Sequence, residues 1–226
     1  MLKKYDELPS KFKNKSMKKY YELLNKKRFY LIIKRLFDIV GSLLLLIVLS
    51  PVFIILGIII KIDSNGPVFY RQERVTQYGR IFKIFKFRTM INDADKKGAL
   101  VTVNNDNRIT KIGAKIRNSR LDEIPQLINI LIGDMSFVGT RPEVKKYVDL
   151  YTDEMYATLL LPAGVTSRAS INFKDEAKIM DKYVKKMDVD KVYVEKILPE
   201  KMKYNLDYLS NINLIEDIKI CVKTII

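Results

Sequence analysis

The chain has 226 residues, of which 48% are hydrophobic, and its 41 Lys and Arg against 26 Asp and Glu give a formal net charge of +15. That length suits one catalytic domain with a real core, and so much positive charge on an apolar chain points to an anionic partner, either phosphate-rich lipid or nucleic acid. Histidine is absent and Cys221 is the single cysteine. Ser-His-Asp and Cys-His catalysis are therefore excluded, zinc lacks its usual ligands, no internal disulfide can close, and carboxylates must supply any acid, base or nucleophile.

Residues 1–33 read as a basic extension in which Lys residues far outnumber Asp6, Glu7 and Glu22. Two readings stand: a patch that binds anionic lipid, at about 1 kcal/mol per basic residue near the surface, or a disordered basic tail. Residues 34–61 follow as a membrane unit. From Ile39 to Ile60 there is no charged side chain, a length that at about 1.5 Å per residue matches the hydrocarbon core. Pro51, preceded by Ser50, breaks it near the middle, and the Ser50 hydroxyl is placed to bond a carbonyl that the break frees. Both flanks are basic and so prefer the same face of a membrane. Lys34 and Arg35 suit the headgroup region, and Asp38 suits pairing with a neighbouring cation. A re-entrant helical hairpin satisfies these features; a kinked single-pass anchor is the alternative. The late start and the length of the apolar stretch do not fit a secretory signal.

Residues 62–226 form the globular part, opened by the turn cluster Asp63 to Pro67. Residues 67–74 and 80–88 predict a β-hairpin turning at Tyr78-Gly79, with Lys86 and Arg88 on one strand face and Phe85 and Phe87 on the other. Two cations beside a packed aromatic face can hold phosphate, though a solvated basic strand gives the same pattern. Residues 104–107 read as a loop. Ile109, Ile112 and Ile116 recur at helical spacing. A helix is expected from Ser119, with Ser119 and Asp122 as a capping box and Pro125 in the first turn. The stretch 161–173 reads as a loop, with Ser167, Arg168 and Asn172 as candidates for a selectivity pocket. The tail from Asp175 is mostly helical, interrupted at Pro199, and Tyr204, Tyr208, Leu209 and Ile212 form a stripe for core or membrane interface. The fold class is α+β, mainly helical, with a β-hairpin and amphipathic interface helices.

Asp122 and Glu123 are adjacent, follow Lys115, Arg117 and Arg120, and precede an apolar segment. On spacing alone they are either helix-capping acids or a catalytic pair. Without histidine, phosphoryl transfer needs another nucleophile. An Asp carboxylate can form an aspartyl phosphate while its neighbour takes a divalent ion and basic side chains neutralise the migrating charge.

KRLFD (34–38), Ser50-Pro51, GPVFYRQER (66–74), FKIFKFRTM (82–90), LDEIPQLINIL (121–131) and GDMSFVGTRP (133–142) occur in this order. Together they resemble the bacterial monotopic phosphoglycosyl transferases, also called bacterial sugar transferases, from about Lys34 to the C-terminus. The resemblance implies a re-entrant helix broken at Ser50-Pro51 in the inner membrane, with the catalytic domain on the cytoplasmic face. It implies Asp122 as nucleophile and Glu123 as ligand to Mg²⁺, with Lys86 and Arg117 on the diphosphate or phosphoenzyme. Arg141 and Pro142 fall in a loop near the nucleotide that usually reads Pro-Arg-Pro; Thr140 replaces its first proline, which leaves that loop's rigidity open. The implied reaction passes a sugar phosphate from a UDP-sugar through Asp122 to polyprenyl phosphate, with release of UMP, as a first membrane step of glycoconjugate assembly. Nucleic acid is not an expected partner under this reading. The rivals are a membrane-anchored, non-enzymatic basic module for anionic lipid or nucleic acid, and an enzyme that moves a bare sugar and releases UDP.

Overall fold

The computed structural model describes residues 2–92, 94, 106–176, 179–180, 183 and 188–225; Asn104 and Asn105 of the expected loop, and parts of the C-terminal tail, lie outside them. The first helix, α1 (Lys15–Lys26), is capped by Asn14, whose side chain accepts from the Met17 amide at 2.9 Å. Its residues Met17, Tyr20, Tyr21 and Leu24 recur at three- and four-residue spacing and are all buried, the signature of an amphipathic helix facing a core. Leu2, Leu8 and Phe12 join the same cluster as Leu160, Met202 and Leu209. The extension is thus part of the main core and not a disordered tail; its lysines sit outward because the apolar residues between them point in.

Two helices then run through the apolar stretch, α2 (Arg28–Val48) and α3 (Ser50–Asp63). Neither alone is long and apolar enough to cross a membrane; as a pair they pass that test, bent by 61° at the break. The Ser50 hydroxyl donates to the Ile47 carbonyl at 2.8 Å, and Pro51 occupies the first turn of α3, where a missing amide hydrogen costs little. Both ends of the pair are tied to the same globular body. Arg35 donates to the carbonyls of Ile130 and Leu131 at 2.6 and 2.9 Å, and Lys34 pairs with Asp217 at 2.6 Å. At the far end Arg88 donates to the carbonyls of Ile60 and Ser64. Between these ties the outward face, including Leu36, Leu44, Val48, Ile54 and Ile58, is bare hydrocarbon.

The hairpin forms as β1 (Phe69–Val75) and β2 (Ile81–Phe87), antiparallel, with Phe69 opposite Phe87 and Tyr70 opposite Lys86. Positive backbone φ at Tyr78 and Gly79 turns the loop. Phe82 and Ile84 pack into one cluster with Leu127 and Ile130, while Phe87 on the other face packs with Leu56 and Ile60. The strand is covered on both sides, and Lys86 shares the Phe82 face. Next come α4 (Lys111–Asn118), capped by Thr110, and α5 (Gln126–Ile132). A second sheet, absent from the sequence expectation, pairs β3 (Met135–Val138) in parallel with β4 (Ala163–Thr166). Helices α6 (Lys145–Val148) and α7 (Arg168–Asn172) flank β4 in sequence, so the expected loop 161–173 is instead a strand and a short helix.

The tail carries α8 (Val189–Val192), a π turn (Tyr193–Ile197), α9 (Leu198–Asn211) and α10 (Leu214–Ile225). Pro199 does not interrupt the helix. It falls in the first turn of α9, directly after the π turn, where the altered hydrogen-bond pattern accommodates a residue with no donor. Tyr208, Leu209 and Ile212 are in the core, whereas Leu214, Ile215, Ile218 and Val222 of α10 are exposed. Asp217 fastens α10 to α2, accepting from Lys34, Tyr30 and Tyr208.

Leu24→Ala removes a side chain with no exposure and is expected to lower stability by about 2–5 kcal/mol, read as an earlier denaturant midpoint. A detached tail would leave the midpoint where it was.

Candidate active site

Helix α4 ends at Ser119, and Arg120 takes the left-handed conformation (φ 55°), reversing the chain. Leu121–Glu123 then form one 3-10 turn before α5 begins at Gln126. The capping box expected at Ser119 and Asp122 does not form, because Ser119 closes α4 instead of opening the next helix. Leu121 and Ile124 pack against Phe87 and Ile116. The turn is thereby pinned from below, and its two carboxylates face the end of β2.

Glu123 is clamped. Its Oε1 accepts from Lys86 at 2.9 Å and from Arg141 Nη2, and its Oε2 accepts from Arg141 Nη1 at 3.1 Å. Burial alone would raise its pKa, but Arg141 and Lys86 outweigh that and hold it well below the usual carboxylate range. Arg141 is correspondingly raised, chiefly by Glu123. Lys86 is lowered by burial, with Glu123 opposing the shift. Asp122, half-buried beside it, accepts no hydrogen bond among the described residues, and burial pushes its carboxyl up despite the attraction of Lys86. Adjacent carboxylates thus have opposite character: one is fixed by ion pairs, the other half-buried and unengaged.

The segment carrying Arg141 is held by its backbone. Gly139 donates to the Thr166 carbonyl at 3.0 Å and Gly164 donates to the Thr140 carbonyl at 2.8 Å. A Cβ on Gly164 would stand 2.1 Å from the Gly139 nitrogen, so only glycine permits this approach. Arg74 donates to the Pro142 carbonyl, and the Val75 amide donates to the Glu143 carbonyl at 2.9 Å. Hydrogen bonds from β4 and β1 hold the loop where Thr140 replaces the usual proline.

A cavity of about 270 Å³ opens over this constellation. Lys86, Arg117, Arg120, Asp122, Glu123 and Arg141 line one side. It adjoins a larger groove of about 1030 Å³ along Phe69, Tyr70, Arg74, Pro142 and Tyr147. Of the residues expected from sequence, Lys86, Arg117, Asp122, Glu123 and Arg141 come together, Pro142 lies in the groove, and Thr140 contributes its carbonyl to the loop. Arg88 has a different task from the phosphate contact expected of it. It borders the groove, but its two Nη groups bond the carbonyls of Ile60, Ser64 and Asn65 and the Ser64 and Asn92 side chains. Lying just past the end of β2, it closes the C-terminus of α3. Ser50 and Pro51 mark the helix break. Ser167, Arg168 and Asn172 line neither cavity. Ser167 caps α7, Arg168 pairs with Glu216 and Asp207, and Asn172 donates to the Arg168 carbonyl. The wall they were expected to make is made by Ser170, Phe173, Lys174, Glu176 and Lys201.

No group of three His, Cys, Asp or Glu able to hold a metal occurs among the described residues. Mg²⁺ in phosphoryl transfer needs only one or two protein carboxylates, the remaining ligands being phosphate oxygens and water. Glu123 fits that demand through Oε2, which among the described residues accepts a single hydrogen bond and keeps a lone pair for an ion beside Asp122.

Arg88→Met is expected to cost about 1–3 kcal/mol, the penalty for leaving buried acceptors unpaired, measured as a lower denaturant midpoint. An unchanged midpoint would return Arg88 to the ligand-binding residues.

The chain belongs to the bacterial sugar transferase family, whose sequence model, described as "Bacterial sugar transferase", matches residues 29–226. It is similar to the UDP-N-acetylgalactosamine-undecaprenyl-phosphate N-acetylgalactosaminephosphotransferase of Aeromonas hydrophila, 33% identical over 87% of this chain and 43% of that protein. It is also similar to the "Uncharacterized sugar transferase EpsL" of Bacillus subtilis, 36% identical over 73% of this chain and 79% of that protein. The UDP-glucose:undecaprenyl-phosphate glucose-1-phosphate transferase of Klebsiella pneumoniae is 34% identical over 73% of this chain and 36% of its own length. The chain spans less than half of the first and third of these relatives.

Proposed function

We propose that the protein transfers a sugar 1-phosphate from a UDP-sugar to polyprenyl phosphate by two displacements at phosphorus. The single observation that carries this reading is the unengaged Asp122 carboxylate beside a clamped Glu123, in a cavity with Lys86, Arg117 and Arg141. In the first displacement Asp122 attacks the β-phosphorus, the bond from that phosphorus to the bridging oxygen breaks, and UMP leaves with the oxygen. In the second, an oxygen of polyprenyl phosphate attacks the same phosphorus and expels the Asp122 carboxylate, giving a diphosphate-linked sugar lipid. Lys86, Arg117 and Arg141 balance phosphate charge throughout. Mg²⁺, held by Glu123 with the donor's phosphates, would neutralise charge on the phosphate oxygens. The names of the relatives, which specify undecaprenyl phosphate and sugar-phosphate transfer for those proteins, support the reading.

The acceptor's chain requires membrane, and the bent pair α2 and α3 suits it. Its outward face is apolar over far more than a monomeric soluble surface tolerates, and both of its ends are tied to one body on one side. We assign it as a re-entrant hairpin in the inner membrane with the globular part on the cytoplasmic face, consistent with the basic residues flanking both ends. The site is then at headgroup depth, where a lipid phosphate reaches Asp122 without leaving the bilayer. A non-enzymatic basic module fits less well, since its cations would spread over an open face and not converge on a carboxylate pair inside a cavity.

Incubation of the membrane-reconstituted protein with UDP-sugars, Mg²⁺ and polyprenyl phosphate is expected to yield UMP, and Asp122→Asn is expected to reduce this to background. UDP as the product, or undiminished turnover by that variant, overturns the mechanism. The acid limb of the pH profile follows Asp122, which must be ionised to attack. Burial raises its pKa, so activity should fail with acidification above the ordinary aspartate range. Lys86 lowers that pKa, so Lys86→Met favours the protonated form and should move the limb to higher pH; a limb that stays in place separates it from Asp122.

A further inference from the structure

The cavity over the dyad has a second wall that no step above uses: Ser170, Phe173, Lys174, Glu176 and Lys201. Among the described residues, Glu176 is the one carboxylate on the cavity's lining besides the dyad. In a chamber built for a diphosphate an extra acid is unfavourable unless it is neutralised. Lys201 neutralises it, its Nζ lying 3.0 Å from Glu176 Oε2. That ammonium is itself buried and also bonds to the Tyr193 hydroxyl at 3.0 Å and to Glu143 Oε1 at 3.4 Å, while the Tyr193 hydroxyl donates to Glu143. All three of its donors are spent, so Lys201 is a mount for carboxylates and not a free phosphate ligand.

The helix is deformed to make this mount. Eight residues along an α-helix, at roughly 100° each, leave two side chains about 80° apart around the axis. The π turn Tyr193–Ile197 takes up one extra residue, which brings Tyr193 and Lys201 to within about 20° of the same face. Both therefore reach Glu143, which lies two residues beyond Arg141. A buried ion pair adds little to stability once desolvation is counted, and π turns are rare and recur at functional sites. Their result is a carboxylate, Glu176, with Oε2 fixed on Lys201, its side chain 28% exposed and facing the cavity.

We propose that Glu176 is a specificity-determining residue that accepts hydrogen bonds from the hydroxyl or amide hydrogens of the donor's sugar ring. The inference rests on the proposed reaction. Because Asp122 attacks the phosphorus that bears the sugar, the sugar must share the cavity with Asp122, and the nucleoside falls in the larger groove. Against phosphates a carboxylate is repulsive; against hydroxyls it is a strong acceptor. Phe173 and Ser170 complete a wall of aromatic and hydroxyl groups suited to a pyranose.

The same hydroxyl chemistry exists on the ribose, so the test has two arms, performed on full-length protein in membrane. UDP-glucose, UDP-galactose, UDP-N-acetylglucosamine and UDP-N-acetylgalactosamine are compared by kcat/KM for wild type and Glu176→Gln, and inhibition by UMP is measured for both. The expected result is that the variant loses about tenfold or more of the discrimination between the best donor and its 4-epimer, while inhibition by UMP is unchanged. An unchanged ratio overturns the inference, and so does weakening of UMP in parallel with kcat/KM, which would put the contact on the ribose. Lys201→Met should reproduce the loss of discrimination by releasing Glu176; retained discrimination in a folded Lys201→Met protein counts against the mount. Failure of the wild type to release UMP from any donor overturns the proposed reaction itself, and is distinguished by appearing before any substitution is made. If Glu176→Gln does not fold, Glu176→Asp, which keeps the charge and shortens the reach, is held to the same ratio.

Discussion

Two positive groups from distant parts of the chain close on one carboxylate. Lys86 arrives on the second strand of a hairpin whose faces are both packed, and Arg141 arrives on a segment stitched between β1 and β4 by main-chain hydrogen bonds. Glu123, on a single 3-10 turn, is where they meet. One half-buried carboxylate between two half-buried cations leaves one positive charge over, and removing Glu123 would leave Lys86 and Arg141 facing each other without compensation. The glycine contact at Gly139 and Gly164 and the seating of Leu121 and Ile124 under the turn act by bringing these three groups to that point.

The same economy governs the broken helix. A basic side chain at each end of the pair is committed to carbonyls at a helix C-terminus: Arg35 at the end of α5, Arg88 at the end of α3. Arg35 reaches from α2 to the globular body and Arg88 reaches from the globular body to α3, so hydrogen bonds tie both ends of the pair to it. The pair is bent by 61° at Leu49. Asp217 extends the arrangement to α10, whose exposed Leu214, Ile215, Ile218 and Val222 lie on a helix fastened directly to α2. Under the proposed function this fixes the distance from hydrocarbon to Asp122 by covalent geometry and short polar contacts.

What the sequence disclosed follows from how local each signal was. The helix break was legible because Ser50 and Pro51 act within one turn. The hairpin was legible because strand alternation in 67–88 is strong, and the bounds differ from expectation by only one or two residues. The cluster of Lys86, Arg117, Asp122, Glu123 and Arg141 was legible by resemblance, since ordered motifs carry three-dimensional information that spacing does not. Where the outcome depended on non-local partners, sequence reasoning failed. Arg88 alternates correctly with Lys86, yet the carbonyls at the end of α3 claim it. Ser119 has a capping residue's chemistry, but a left-handed Arg120 makes it the end of a helix. β3 and β4 are four residues each, and β4 contains a glycine whose purpose is visible only once Gly139 lies against it. The α1 lysines obscured Met17, Tyr20, Tyr21 and Leu24, whose periodicity was present and went unread. Nothing local marks Lys201 as a site residue, because its orientation is set by a π turn upstream.

The dyad's two carboxylates share a backbone turn and differ in what surrounds them. Glu123 has more cationic hydrogen-bond donors than burial can offset and is held well below the usual carboxylate range; Asp122 has burial without a donor and is shifted the other way. A nucleophile tied up in ion pairs would have to break them to react, and a metal ligand that protonated easily would release its ion. The observed division avoids both. Each carboxylate occupies the environment its proposed role requires, and the environments are set by a single residue of displacement along a 3-10 turn, which aims one side chain between Lys86 and Arg141 and the next clear of them. Pairs of titratable groups pushed apart in this manner mark division of labour at reactive sites. Here the division is built from packed elements, and Asp122 lines the cavity with no hydrogen bond of its carboxylate to break among the described residues.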